Sequence, residues 1–139
     1  MLRIELGEWE TMRKWAQPIR FAVFVNEQKV PPEMELDTWD PGSVHAVAFD
    51  ADAAAVGTGR LLPDGHIGRM AVARSARGSG VGSALLRALM GEARRRGHRF
   101  TVLSAQTHAI GFYRRHGYEV DGSEYLDAGI PHVDMRCPL

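Results

Sequence analysis

A mixed β-sheet with helices on both faces, an α/β domain (α+β in some schemes), is the fold class that these 139 residues predict. Three observations predict it. Segments with apolar residues at two-residue spacing alternate with segments whose apolar residues recur at three- and four-residue steps. A glycine-rich run, Arg77-Gly78-Ser79-Gly80-Val81-Gly82, stands between a strand-like stretch and a helix-like one. No internal repeat, linker or low-complexity tract breaks the order, so one domain over 1–139 with a real hydrophobic core is expected.

Leu2 to Leu6 alternates apolar and charged residues and reads as a first strand. A helix is expected over Glu10 to Phe24, where Met12, Trp15, Ala16, Ile19 and Val23 form one apolar stripe. Pro18 should kink or split it. Residues 30–42, rich in proline and carboxylates, read as a loop with a short helical turn. Val44–Phe49 and Ala54–Leu62 read as a hairpin around Asp50-Ala51-Asp52. His66–Ala73 is the next strand. The helix Ser83–Arg96 presents Leu85, Leu86, Leu89, Met90 and Ala93 on one face and stops at Gly97. A strand over 100–106, a short helix from Ala109 to His116, and strands Tyr118–Gly122 and His132–Arg136 complete the order.

A glycine-rich turn feeding a helix start suits a phosphate. The N–H groups of the first helical turn lack acceptors, the helix dipole favours negative charge there, and glycine leaves the backbone open to close approach. The run is not a Walker A loop, because no lysine precedes Ser83. Nor is it a dinucleotide fingerprint: its glycines are spaced Gly78-x-Gly80-x-Gly82, and no acidic residue lies about 20 positions on, at the end of a second strand. The bare motif leaves a tight turn and a phosphate site equally open. A second segment, Gln106-x-x-Ala109-x-x-Phe112-Tyr113-x-x-x-Gly117-Tyr118, follows after one helix and one strand.

Together, in this order, the two motifs resemble the acetyl-CoA loop and the downstream motif of the GCN5-related N-acetyltransferase (GNAT) superfamily, over roughly Val44 to Met135. The stretch Ile19–Gln28, with Val30-Pro31, Glu35, Asp37 and Asp40, and the tail Ala128-Gly129-Ile130-Pro131-His132 with Met135 are similar to its ElaA/YjcF-like subgroup. The resemblance implies a three-layer α/β/α acyl-CoA N-acyltransferase fold, its largely antiparallel sheet splayed between the fourth and fifth strands. It implies acetyl-CoA as cosubstrate, with Met70, Ala71 and Val72 along the pantetheine arm and Arg77, Gly78, Ser79, Gly80, Val81, Gly82 and Ser83 around the diphosphate. Gln106 replaces the family's usual asparagine and, with Phe112 and Tyr113, completes the expected cofactor contacts.

Bulk composition excludes other classes. Formal net charge is zero, which gives no electrostatic footprint for nucleic acid or an anionic membrane. The run Arg94-Arg95-Arg96 reads as a solvated face suited to a helix C-terminus, or as a contribution to the 3′-phosphate of CoA. The single cysteine, Cys137, permits no internal disulfide, in keeping with a reducing cytoplasm. No secretory signal pattern opens the sequence, no apolar run reaches about 20 residues, and no metal-ligand spacing occurs. A small-molecule amine is the expected partner; a homodimer is left open.

Acetyl transfer from a thioester to an amine needs a neutral nitrogen, a polarised carbonyl, a proton for the leaving thiolate and close positioning of the reactants. An alkylamine has a pKa of about 10.4, so a route for proton loss is required. The oxyanion donor is expected in the backbone of residues 70–72, at Met70 or Val72. Tyr113 aligns with the family's tyrosine and is the expected proton donor to sulfur, since a phenol with a pKa of about 10 needs no prior ionisation.

For the base the pattern departs from many relatives: Arg69 stands where they carry glutamate. Glu27 is the first alternative, His66 and His132 the second, and a water chain without a dedicated base the third. Glu33, Glu35, Asp37 and Asp40 form either a negative rim that draws a cationic amine or a solvated loop whose carboxylates cap a turn. Arg20 and Arg69 could instead receive a carboxylate or phosphate of the acceptor, with Glu27 and His132 beside them. The leading reading is an acetyl-CoA-dependent N-acetyltransferase acting on a small amine. A non-catalytic acyl-CoA sensor and a protein acetyltransferase are the alternatives.

Overall fold

The computed structural model describes residues 2–139. In chain order the elements are β1 (Arg3–Gly7), α1 (Trp9–Arg20), a π-helical segment (Phe21–Glu27), α2 (Pro32–Glu35), β2 (Val44–Phe49), β3 (Ala55–Leu61) and β4 (Ile67–Val72). Then come α3 (Val81–Arg95), β5 (Phe100–Gln106), α4 (Ile110–Arg114), β6 (Glu119–Val120), β7 (Tyr125–Asp127) and β8 (Ile130–Pro138). Strands β1-β2-β3-β4 form one antiparallel sheet in sequence order. Strands β5-β8-β6 form a second, with β7 also paired to β8.

Strand β2 shows why helices cover both faces. Its side chains alternate between the two sides. Ala46 and Ala48 pack into the cluster with Leu85, Leu86 and Leu89 of α3, while Val47 and Phe49 pack with Trp9, Met12 and Ala16 of α1. With no polar face left on the strand, a three-layer packing buries both sides. The second sheet joins the α3 cluster through Leu103, Ala105, Val133 and Met135, so one core spans both sheets. Helix α3 can lie close on β3 because Gly57 has no Cβ. One placed there would stand 2.7 Å from Val81 Cγ1.

The two sheets meet at one parallel bridge, His66 to Val102, between β4 and β5. Beyond it the strands diverge, which is the expected splay between the fourth and fifth strands.

The first helix is longer than the apolar stripe suggests and changes character. Three residues after Pro18 it widens into π-helix, and the Gln28 amide donates to the Val23 carbonyl at 3.0 Å. Proline withdraws one rung of the α ladder, and π turns relieve such interruptions. The wider turn brings Glu27 and Gln28 to the cleft described below. Strand β7 was not expected. It has three exposed residues with no alternation, and it pairs with β8 through a two-residue turn at Ala128 and Gly129, both at positive φ (52° and 77°).

Candidate active site

A cleft of about 650 Å³ opens where β4 and β5 part. Its walls include Gly68 to Val72 of β4, Ser104 and Gln106 of β5, Tyr113 of α4, His132 of β8, and Phe24, Glu27 and Gln28 of the π segment.

The β4 wall carries a bulge. Thr58 pairs with Ala71 and Arg60 with Gly68, so Gly59 of β3 faces two residues, Arg69 and Met70. Arg69 adopts a left-handed φ of 50°, which is uncommon outside glycine and costs backbone energy. A bulge re-aims the local peptide groups and ends regular pairing. The residues it re-aims are those expected to polarise the thioester carbonyl.

After β4 the chain turns into the glycine run. Gly80 is the N-cap of α3 at φ 86°, and Gly78 sits at φ 81°. A Cβ at either would meet nothing within 4 Å, so backbone conformation, not crowding, requires glycine. No main-chain carbonyl among the described residues accepts from the amides of 78 to 83; the first bonded amide of the helix is that of Ala84, to Gly80 O at 3.1 Å. Residues 78–80 are exposed. Six amides without acceptors at the start of a 15-residue helix fit a diphosphate. Arg77 braces the run: its Nε donates to Val72 O at 3.0 Å and its Nη2 lies 2.8 Å from Glu27 Oε1. Ser83 Oγ lies 2.9 Å from His116 Nε2.

Tyr113 lines the cleft, and no group among the described residues bonds its hydroxyl. Burial raises its pKa to about 12. Tyr118 contrasts with it. That ring is fully buried, and its hydroxyl lies 2.5 Å from Thr101 Oγ1.

The family profile of the acetyltransferase (GNAT) domain matches residues 13–139. The chain belongs to the GNAT acetyltransferase family. It is 42% identical to the uncharacterized N-acetyltransferase YjcF of Bacillus subtilis (strain 168), over 96% of this chain and 98% of the relative. Its fold is similar to that of an acyl-CoA N-acyltransferase from Pseudomonas aeruginosa, with a TM-score of 0.87, 30% identity and 99% of each chain covered. It is also similar to Escherichia coli ElaA, with a TM-score of 0.86, 25% identity and 99% of each chain covered. A GNAT acyltransferase with this fold binds an acyl-CoA.

Within this GNAT fold several expected site residues take other places. Arg20 does not line the cleft. It is 1% exposed, and its guanidinium is held by the Glu35 carboxylate, by Glu35 O at 3.0 Å and by Asp40 at 2.8 and 3.1 Å. Apart from the exposed Glu33, the acidic segment is neither an open negative rim nor a solvated loop. Glu35 and Asp40 are buried, and Asp37 and Asp40 accept from Arg60 at 2.7 to 2.8 Å. Three carboxylates and the guanidiniums of Arg20, Arg60 and Arg69 thus form one network, buried at Arg20, Glu35, Asp40 and Arg60 and half-buried at Asp37 and Arg69, that pins residues 34–40 beside β3 and β4. Burial pushes the Asp40 pKa up, but Arg20 and Arg60 outweigh it and hold the carboxyl below its ordinary value.

Glu27 reaches the cleft but is paired with Arg77 and, at 3.5 Å, with Arg74. The Arg77 hydrogen bond lowers its pKa, which makes it a weaker base. His132 lines the cleft and is 8% exposed. Its Nδ1 lies 2.7 Å from Ile130 O, an acceptor only, so Nδ1 carries the proton and the neutral ring keeps its lone pair on Nε2. His66 lines the cleft as well, exposed and 3.0 Å from Asp64. Gln106 Nε2 donates to Gln28 Oε1 at 2.8 Å, and its Oε1 accepts from His108 at 2.7 Å. Phe112 is not in the cleft wall. It packs under the loop, 3.4 Å from the position of a Cβ on Gly82, and edge-on to Tyr113 at 5.0 Å.

Gln28, Arg60, His108 and Asp127 line the cleft without having been singled out in the sequence. Asp127 sits on the unexpected β7, Gln28 and Arg60 lie outside both motifs, and His108 occupies one of the unspecified positions of the second.

Proposed function

We propose that this chain is an acetyl-CoA-dependent N-acetyltransferase that acetylates a primary amine of a small molecule by direct attack in a ternary complex. The observation that carries this reading is the junction of two features. A glycine run with unbonded amides leads into α3, and next to it a splayed cleft has Tyr113 and His132 on its walls.

Acetyl-CoA supplies an acetyl group activated as a thioester. The amides of 78 to 83 and the helix dipole of α3 hold its diphosphate. The bulged backbone at Met70, with Ala71 and Val72, directs an N–H to the acetyl oxygen as negative charge develops there. His132 Nε2 takes the proton that the amine loses, either directly or through one water. The new N–C bond forms as the C–S bond breaks, and Tyr113 gives its hydroxyl proton to the departing sulfur; water then reprotonates the phenolate and takes up the proton held by His132. A pKa near 12 keeps that proton in place at every working pH. Glu27, expected as base, instead braces Arg77 in this reading, and Arg69 faces the acceptor.

The test is release of free CoA from acetyl-CoA across a panel of small amines, with CoA binding followed by calorimetry. Amine-dependent release is expected. Tight CoA binding with no release on any amine would sink the assignment in favour of a sensor.

A further inference from the structure

Resting on that acetyl-transfer reading, we propose that the acceptor amine carries a carboxylate and that Arg69 binds it. A second cavity, of about 150 Å³, adjoins the cleft under residues 30–35 and shares Phe24, Gln28, Arg69, Gln106, Asp127 and His132 with it. At roughly 30 Å³ each it has room for about five waters, the scale of a short amino acid.

The charges in and around this space are mostly answered. Arg20 and Arg60 are held by Glu35, Asp37 and Asp40, and Arg77 by Glu27. Arg69 differs. Its Nε donates to Glu35 O at 3.2 Å and its Nη2 to Met34 O at 3.4 Å and Asp37 Oδ2 at 3.3 Å, while Nη1 has no partner among the described residues. Its one carboxylate contact is shared with Arg60. A half-buried guanidinium whose Nη1 donates to no protein group has two N–H groups open to an anion in this space.

The acyl donor does not supply that anion there, because its phosphates go to the loop of 78 to 83 and its acetyl end is uncharged. The anion therefore belongs to the acceptor. Asp127 supplies the complement: it lines the same cavity, is exposed, and makes no ion pair among the described residues, which suits an incoming ammonium. His132 stands beside both.

The experiment compares kcat/KM for 3-aminopropanoate, propylamine and 2-aminoethyl phosphate in wild type, Arg69→Met and Arg69→Lys. In wild type the carboxylate amine should lead propylamine by at least about tenfold. That ratio should fall to about one in Arg69→Met and recover in part in Arg69→Lys. The ratio is internal to each variant, so a general loss of activity does not disturb it, and Arg69→Lys decides alone if Arg69→Met does not fold. A wild-type ratio near one, a ratio that survives in the variants, or a lead by the phosphate amine overturns the proposal. If no amine releases CoA, the acetyl-transfer reading falls instead. Calorimetry of 3-aminopropanoate against propylamine on the CoA-loaded protein then decides: binding of the acid alone, lost in the variants, supports the anion site, and equal binding or none removes it.

Discussion

Arg77 and Glu27 meet at 2.8 Å, Nη2 to Oε1, and so join the loop before α3 to the last residue of the π segment. The same guanidinium reaches back to the Val72 carbonyl at the end of β4. Three elements that border the cleft are thereby tied by one side chain. Replacement of Glu27 by Gln should weaken the brace and change CoA affinity, while kcat falls by less than about threefold, because the paired carboxylate is a poor base. Steady-state kinetics with CoA calorimetry checks this, and a loss of kcat of a hundredfold or more would return the base to Glu27.

Tyr113→Phe should lower kcat by at least about tenfold and leave CoA affinity nearly unchanged, since only the hydroxyl is removed. The hydroxyl has no protein partner among the described residues, so stability should change little. An unaltered kcat would take Tyr113 out of the chemistry.

Gly80→Ala should cost about 1 kcal/mol of stability, because φ of 86° is strained for any residue with a Cβ. Gly80→Glu adds a negative charge where a diphosphate is expected and should abolish CoA binding in a protein that still folds. Denaturant titration and calorimetry separate the two effects.

Arg20→Met should destabilise the protein by about 3–5 kcal/mol, since it leaves Glu35 and Asp40 buried without that counter-ion. The expected readout is a lower denaturant midpoint.

Burial pushes the His45 pKa below its ordinary value, and burial with Arg87 and Arg115 does the same for His116. A group depressed in the folded state takes up its proton more readily when unfolded. Stability should therefore be fully present above about pH 6.5 and fall on acidification from there, before the carboxylates titrate. Asp40 adds a further loss below about pH 3.8. Denaturant midpoints at pH 8, 6 and 5 test the sign; His45→Gln should flatten the first part of the decline.

Periodicity and glycine placement made much of this fold legible. The alternating strand Val44–Phe49 and the Leu85, Leu86, Leu89 stripe stand where expected because local pattern and tertiary burial agree there. The position of the glycine run at the start of α3 and that of Tyr113 on the helix after β5 were legible from motif order. The Arg69 bulge was not, because register against β3 depends on pairing across the sheet and leaves no local mark. Nor was the role of Arg20. A charged residue on an apolar helix face looks like a ligand contact until the carboxylates of residues 35 and 40 fold over it. The π widening was half legible: Pro18 signals an interruption, but not whether the helix breaks or expands.

Among the described residues one bridge alone, His66 to Val102, joins β4 to β5. Strand margins with vacant hydrogen-bonding positions usually invite other chains and promote aggregation. Here the two margins face each other across the cleft, too close together for a whole foreign strand to pair with both. They stay open to a thin, extended guest rich in amide groups, which can complete the missing rungs without a partner protein.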